Sequence, residues 1–365
     1  MSGARAGIST RLRAAKAVAE RALDAAKSKT GRGRRRAIAA RNAEIFALRN
    51  EIARIRGEEA GVPTGTPVFF VVGYQKSGTT WLMRTLDAHP EILCRGEGRF
   101  FGAAWRQKGL VKSDATRPPS SLLYAIREAE YLRLWIERSV WSRNGDPQEH
   151  LDNLSRMAVD YFLQGELART GKRLVGDKSP LLTPETVEEI SAVYPEARVL
   201  HIIRDGRDAA VSAAHHARNF GRKQGGRKGG EGIFEESRLQ KLAADWNARV
   251  GRTVEDGPRL FGDRYAEVRY ENLLTRPVEE VGRILRFLGA DAAGARRCVD
   301  AASFEKLSRG RSRGEEDPSS FFRKGVAGDW KDSFTEGDRR VFGREAGPLL
   351  QKLGYRWDDV GGSVR

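Results

Sequence analysis

Apolar and polar positions change rhythm several times along the chain. In residues 37–57, "AIAARNAEIFALRNEIARIRG", Ile38, Ile45 and Ile52 stand seven apart, and Leu48 and Ile55 follow the last two by three residues. That spacing predicts a helix with a short a/d seam, too short to establish a coiled coil. "GVPTGTP" (61–67) reads as a linker, and "VFFVVG" after it is a continuous apolar run of the kind found in buried parallel strands. "GTTWLMRTLDAHP" then reads as a helix that ends before Pro90. "KRLVGDKSP" and "ARVLHIIRDGRD" each predict a strand that leaves polar residues at its C-terminal end, with helical "PETVEEISAVYP" between them. Further helices are predicted over residues 120–165 and 238–255, and "AEVRYENLL" as a strand before helical "VEEVGRILRFLG".

Strands that alternate with helices predict a three-layer α/β/α domain around a central parallel sheet, with its site beyond the strands' C-terminal ends. The expected division is a basic helical N-terminal extension over residues 1–60 and one domain over 61–365. Two Gly/Ser- and charge-rich stretches, "NFGRKQGGRKGGEG" (219–232) and "SRGRSRGEEDPSS" (308–320), read as mobile loops. The first is also a candidate substrate lid.

Charge sharpens that division. Residues 1–56 hold 15 Lys/Arg against 4 Asp/Glu, a net of +11 that leaves the other 309 residues only +5 of the total +16. The basicity therefore belongs mostly to the extension, whose expected role is to dock on the main domain or on its copy in a homodimer. Contact with an anionic membrane is the alternative, and nucleic acid is the less favoured partner. Cys94 and Cys298 make no disulfide framework or metal cluster, which suits a reducing cytoplasm. No apolar stretch approaches the roughly 20 residues of a membrane span, and no apolar signal-peptide run follows the basic start. The expectation is a cytoplasmic protein, peripheral at a membrane if the extension binds one.

"VVGYQKSGTTWL" (71–82) carries the first chemistry. Gly73 and Gly78 keep the glycine spacing of a nucleotide-hydrolysing phosphate loop and Thr80 stands at its Ser/Thr position, but Thr79 replaces the lysine. The lysine lies inside the turn instead, as Lys76. A strand, a glycine turn and a helix still put free amides and a positive helix end at one spot, so the loop predicts an anion site. In "IIRDGRDAAVS", Arg204 leaves a strand end and Ser212 follows eight residues later, placed to meet a second phosphate. "FFRKGVAGDWKDSF" adds Arg323, Lys324 and Gly325, two cations and an approachable backbone.

Together and in this order, the three segments resemble the sulfotransferases that use 3′-phosphoadenosine 5′-phosphosulfate (PAPS). "YQKSGTTWL" is similar to that family's 5′-phosphosulfate loop, "RDGRDAAVS" to its 3′-phosphate motif and "RKGVAGDWK" to its C-terminal R-K-G-x-x-G-x-W-K, over residues 68–335. The resemblance implies a P-loop NTPase-like fold with PAPS as co-substrate and no metal. It implies that Gln75, Lys76, Ser77, Gly78, Thr79 and Thr80 form the 5′ site, with Lys76 stabilising the bridging oxygen as it leaves. Arg204, Ser212, Arg323, Lys324 and Gly325 would hold the 3′-phosphate. Trp81 matches the family tryptophan near adenine, Phe304 of "ASFEKLS" the phenylalanine on its other side, and Tyr270 the tyrosine at the base edge.

The catalytic base follows from a second likeness. "DAHPEILCRGEGRFF" resembles tyrosylprotein sulfotransferases and the "KExHFF" pattern of heparan sulfotransferases, whose glutamate base lies about 21 residues beyond the loop's basic residue. Here that is Glu97; its alternative reading is a helix cap or a salt bridge to Arg99. Lys178 of "GDKSP" resembles the lysine that faces the transferring group, although Asp177 precedes it in place of glutamate. Gln75 also departs from the proline of cytosolic relatives. His89 is expected to close its helix, and His215 and His216 to be packed or solvated. The implied reaction is sulfuryl transfer to a carbohydrate, lipid or small-molecule hydroxyl. Its rivals are a P-loop kinase, which needs a lysine at position 79, and an anion- or nucleic-acid-binding protein acting through the extension.

Overall fold

The structure is a computed structural model, and it describes residues 68–102, 121–142, 145–181, 183–223, 233–317 and 319–357. The extension over 1–60 lies outside the described residues, as does most of the 219–232 loop.

Five strands form one parallel sheet: β1 (Val68–Gly73), β2 (Ile92–Gly96), β3 (Leu174–Pro180), β4 (Arg198–Ile203) and β5 (Tyr265–Arg269), in the order β2-β3-β1-β4-β5. The chain runs outward from β1 to β2, returns to β3, then crosses to β4 on the other side of β1. That reversal makes the C-terminal end of β1 a topological switch point, the place where such sheets leave a crevice. The register brings the switch residues together, because Gly73 stands opposite both Pro180 and Ile202, and Gly96 opposite Lys178.

Alternation explains the two covered faces. Phe69 and Val71 pack on one side of the sheet with Leu82 and Leu86 of α1 (Thr79–Asp87) and Ile284 and Leu285 of α9 (Pro277–Leu288). Phe70 and Val72 pack on the other with Val159 and Leu163 of α4 (Pro147–Leu167) and Val187 and Ile190 of α5 (Thr186–Val193). An apolar run without polar breaks is what a strand buried on both faces requires. Each such side chain contributes about 1.5–3 kcal/mol when fully buried.

The remaining helices complete the layers. They are α2 (Leu122–Arg127), α3 (Glu130–Arg138), α6 (Gly206–Lys223), α7 (Glu236–Phe261), α8 (Tyr270–Thr275), α10 (Ala295–Ala301), α11 (Phe304–Leu307), α12 (Trp330–Ser333) and α13 (Glu336–Lys352). A third apolar cluster joins Trp246 of α7, Trp330 of α12 and Phe342 of α13 beside the end of β4. No described helix is long and apolar enough to cross a membrane.

Two sequence expectations need correction. The strand over 266–274 is β5 only as far as Arg269, and α8 begins at Tyr270. Apolar Tyr270, Leu273 and Leu274 are spaced three and four apart, which is helical spacing. Residues 92–96, read as no element, form β2, whose Ile92, Leu93 and Cys94 are buried while Arg95 and Gly96 are exposed. Three buried positions are too few to show a period.

Candidate active site

The turn between β1 and α1 is held from both ends. Tyr74 is buried beneath it; its hydroxyl donates to the Leu242 carbonyl (3.4 Å) and accepts from the Gln75 amide (3.2 Å). Ser77 N–H returns to the Tyr74 carbonyl at 3.1 Å. Lys76 and Gly78 both take left-handed backbone, φ 65° and 94°. At Gly78 a Cβ would stand 2.6 Å from the Tyr270 ring, so the residue is glycine both for its φ and for this approach. Gly78 caps α1 without a side-chain acceptor, and the helix therefore presents its first-turn amides to the cavity in front of it.

That cavity encloses about 270 Å³ and is lined by Gln75, Lys76, Gly78, Thr79, Thr80, Trp81, Glu97, Lys178, Arg204, Ser212, Tyr270, Phe304, Arg323, Lys324 and Gly325 together with seven other residues. Every candidate from the sequence except Ser77 is thus on its wall. Ser77 lies behind the turn, 1% exposed, and its Oγ has no hydrogen-bond partner.

At one end stand Lys76, Glu97 and Lys178. The last residues of β2 and β3 are in register, which brings Glu97 to Lys178: Nζ donates to Oε1 at 2.6 Å and lies 3.5 Å from the Thr80 hydroxyl. Lys178 is buried, whereas the Glu97 side chain is 46% exposed, and its Oε2 has no partner among the described residues. Glu97 therefore pairs with Lys178 and not with Arg99. Asp177, buried, accepts from the Gly98 amide (2.9 Å) and the Ser179 hydroxyl (2.6 Å), and so fixes the backbone that carries Glu97. Burial pushes its carboxyl up to about 6 against those two hydrogen bonds. Burial also lowers the pKa of Lys76; Glu97 opposes that and Lys178 adds to it. The Lys76 Nζ stands 5.1 Å over the Phe321 ring.

The middle of the cavity is built on Arg204. It is buried and lies 4.4 Å over the Tyr270 ring, donating to the Lys76 carbonyl and the Val326 carbonyl at 3.0 Å each. One guanidinium thus ties the turn after β1 to the C-terminal R-K-G segment. Asp208 adds a second tie, accepting from the amides of Gly328 (2.8 Å) and Trp330 (3.0 Å). Arg323 pairs with Asp329 and Glu316, and Lys324 with Asp329 at 2.6 Å. Gly325 has φ 68°, and a Cβ there would come 2.5 Å from Phe304.

The far end is aromatic. Trp81 is fixed by its indole N–H on the Ala302 carbonyl (2.9 Å) and meets Tyr270 edge-on at 5.8 Å between centroids. Phe304, buried, stands on the same wall. His89 closes α1 as expected, its Nδ1 accepting from the Glu91 amide (3.2 Å) and its Nε2 facing the Asp291 carbonyl (2.9 Å). His215 faces Glu316 at 3.8 Å, and His216 lines the cavity.

Sequence reasoning missed three contributors. Asp208 and Asp329 lie inside quoted motifs but carry no charge an anion wants, so nothing singled them out. Arg313 lines the cavity from a stretch read only as a mobile loop, where three arginines alternate with Ser and Gly. Among the described residues no group of acidic, histidine or cysteine side chains could hold a metal ion.

The arrangement fits a nucleotide carrying two separated anionic groups. The first-turn amides of α1 and the close approach at Gly78 favour an anion at one end. The Arg323–Gly325 segment offers cations and open backbone for a second.

Comparison with known proteins identifies the family. The profile described as "Sulfotransferase family" matches residues 67–293. Protein-tyrosine sulfotransferase 2 of Gallus gallus is 23% identical over 231 residues, 61% of this chain and 51% of that protein. A putative protein-tyrosine sulfotransferase of Caenorhabditis briggsae is 27% identical over 224 residues, 60% of this chain and 65% of that one. The chain therefore spans about half to two thirds of the length of these relatives. Among solved structures, mouse sulfotransferase SULT7A1 complexed with PAP is 19% identical, with a TM-score of 0.46, 81% of this chain covered and 86% of that one. The family match extends over more than half of the sequence and takes in the turn after β1, the ends of β3 and β4, and Tyr270; the chain belongs to the sulfotransferase family.

Proposed function

We propose that the chain transfers the sulfuryl group of PAPS to an acceptor hydroxyl by in-line displacement. The observation that carries the reading is convergence. Three segments far apart in sequence, around Lys76, Arg204 and Lys324, line one cavity with Glu97 and Lys178 at one end and Trp81 and Phe304 at the other.

Glu97 acts as the base, its Oε2 taking the acceptor proton as the hydroxyl oxygen bonds to sulfur. The bridging sulfur–oxygen bond breaks as the new bond forms. Lys76, the amides of α1 and Lys178 face the charge left on the 5′-phosphate oxygen, and adenosine 3′,5′-bisphosphate and a sulfate ester are the products. Lys178 also holds Glu97 at the reacting end. The sequence favoured a carbohydrate, lipid or small-molecule acceptor. The matched relatives are named for protein tyrosine, so a tyrosine phenol is the first acceptor to offer.

Calorimetric titration with adenosine 3′,5′-bisphosphate and with ATP, both without magnesium, tests the site. Tight bisphosphate binding is expected, weak ATP binding, and a loss of about tenfold or more in Lys324→Ala, the scale of one hydrogen bond to a charged group. ATP binding that requires Mg²⁺, with none of the bisphosphate, would sink the reading and restore the kinase.

A further inference from the structure

Arg313 enters the cavity beside the aromatic pair. Its guanidinium carbon stands 5.1 Å over the Trp81 ring and 5.9 Å over the Phe304 ring, and its Nη1 points to the Gly325 carbonyl at 3.4 Å. The backbone that carries it is stitched to the R-K-G segment. Gly314 N–H donates to the Lys324 carbonyl (2.9 Å) and Asp317 N–H to the Arg323 carbonyl (3.0 Å). Arg311 adds its own donors to the carbonyls of Phe322 (2.6 Å) and Arg323 (2.8 Å). The stretch that reads in sequence as a mobile loop is therefore one wall of the site, tied to Arg323 and Lys324.

Charge separates Arg313 from its neighbours. Arg204 faces Asp208 at 3.8 Å, Arg323 is matched by Asp329 and Glu316, and Lys324 by Asp329. An incoming anion must share each of those cations with a carboxylate. Arg313 has no ion pair among the described residues, so no carboxylate there is matched to its charge. A guanidinium placed over ring faces also keeps its N–H edge available for in-plane acceptors.

We propose that Arg313 is a specificity-determining residue of the nucleotide site. It closes the aromatic end over Trp81 and Phe304 and supplies the unmatched charge that selects a nucleotide bearing a 3′-phosphate. This rests on the site reading given above.

The test is titration of the full chain and of Arg313→Ala and Arg313→Lys with adenosine 3′,5′-bisphosphate and with adenosine 5′-monophosphate, at two salt concentrations. Arg313→Ala is expected to raise the bisphosphate Kd by about tenfold or more and the monophosphate Kd much less, and to flatten the salt dependence of bisphosphate binding. Arg313→Lys, which keeps the charge, restores most of the preference between the two nucleotides. Equal losses for both nucleotides in Arg313→Ala, or no loss, overturn the assignment while leaving the site intact. A wild-type protein that shows no preference for the bisphosphate overturns the site reading and this assignment with it. Thermal melting of each variant separates a lost contact from a lost fold.

Discussion

Glu97 and Lys178 show how much a single pair can decide. Lys178 is almost wholly buried and Glu97 about half-exposed, so the pair joins the interior of the sheet to the mouth of the cavity. Glu97→Gln keeps an acceptor for the Lys178 ammonium but removes the basic oxygen. Turnover is expected to fall by about 10²–10⁴-fold, the usual contribution of a general base, with the bisphosphate Kd within about twofold of wild type. Equal turnover in the two proteins would move the base elsewhere, His216 being another candidate on the wall. At this scale the joint pattern was the legible part: the segments around Lys76, Arg204 and Lys324, the last two weak taken alone, line one cavity together. Arg313 was illegible because its neighbours share its charge. The backbone stitching to residues 322–324 and the Trp81 and Phe304 rings under its guanidinium distinguish it from a solvated arginine.

Elements were legible where the pattern was long. β1 announces itself by an unbroken apolar run, β4 by one broken only at His201 after its first residue, and α9 by a clear amphipathic period. β2 did not, because five residues with three buried are too few to establish a rhythm, yet it is the strand that delivers Glu97. Asp177 of β3 holds that delivery in place, and its charge is held at a loss. Its folded pKa of about 6 lies above the usual 3.8, so the protonated form is the one that folding favours. The contribution to stability is greatest below the ordinary carboxyl range and disappears as pH rises through 6. Asp177→Asn removes that dependence. Its melting temperature relative to wild type is expected to rise between pH 4 and pH 7, by the equivalent of about 2 kcal/mol. A difference that stays flat with pH would show that Asp177 titrates normally.

At the scale of the whole molecule, Arg207 links the sheet's switch point to the C-terminal residues. It is buried, donates to both carboxylate oxygens of Asp205 (2.9 and 2.7 Å) and to the Arg356 carbonyl (3.0 Å), and lies 3.7 Å over Trp330 and 4.7 Å over Trp357. Arg207→Ala leaves the Asp205 carboxylate buried without its partner. It is expected to destabilise the protein by about 3–5 kcal/mol, read by urea denaturation. A loss below about 1 kcal/mol would mean that the neighbouring groups rearrange to solvate Asp205. The layer order and the position of the site were readable from the alternation of strands and helices. Which distant residue closes on which helix was not, since Asp205, Arg207 and Trp357 carry no joint signature in sequence.

The strand order also sets a schedule for synthesis. β1 lies at the centre of the sheet, but both of its neighbours come more than 100 residues later, and Lys76 precedes Lys324 by about 250 residues. At roughly 5–20 residues per second, the ribosome needs about 12–50 s to supply the second half of the anion site after the first. For the first 100 or so of those residues, about 5–20 s, "VFFVVG" has no strand to pair with. Slow, non-local pairing of this kind exposes apolar edges to other chains, so the same central strand that organises the finished cavity is the segment most in need of a chaperone while the chain is being made.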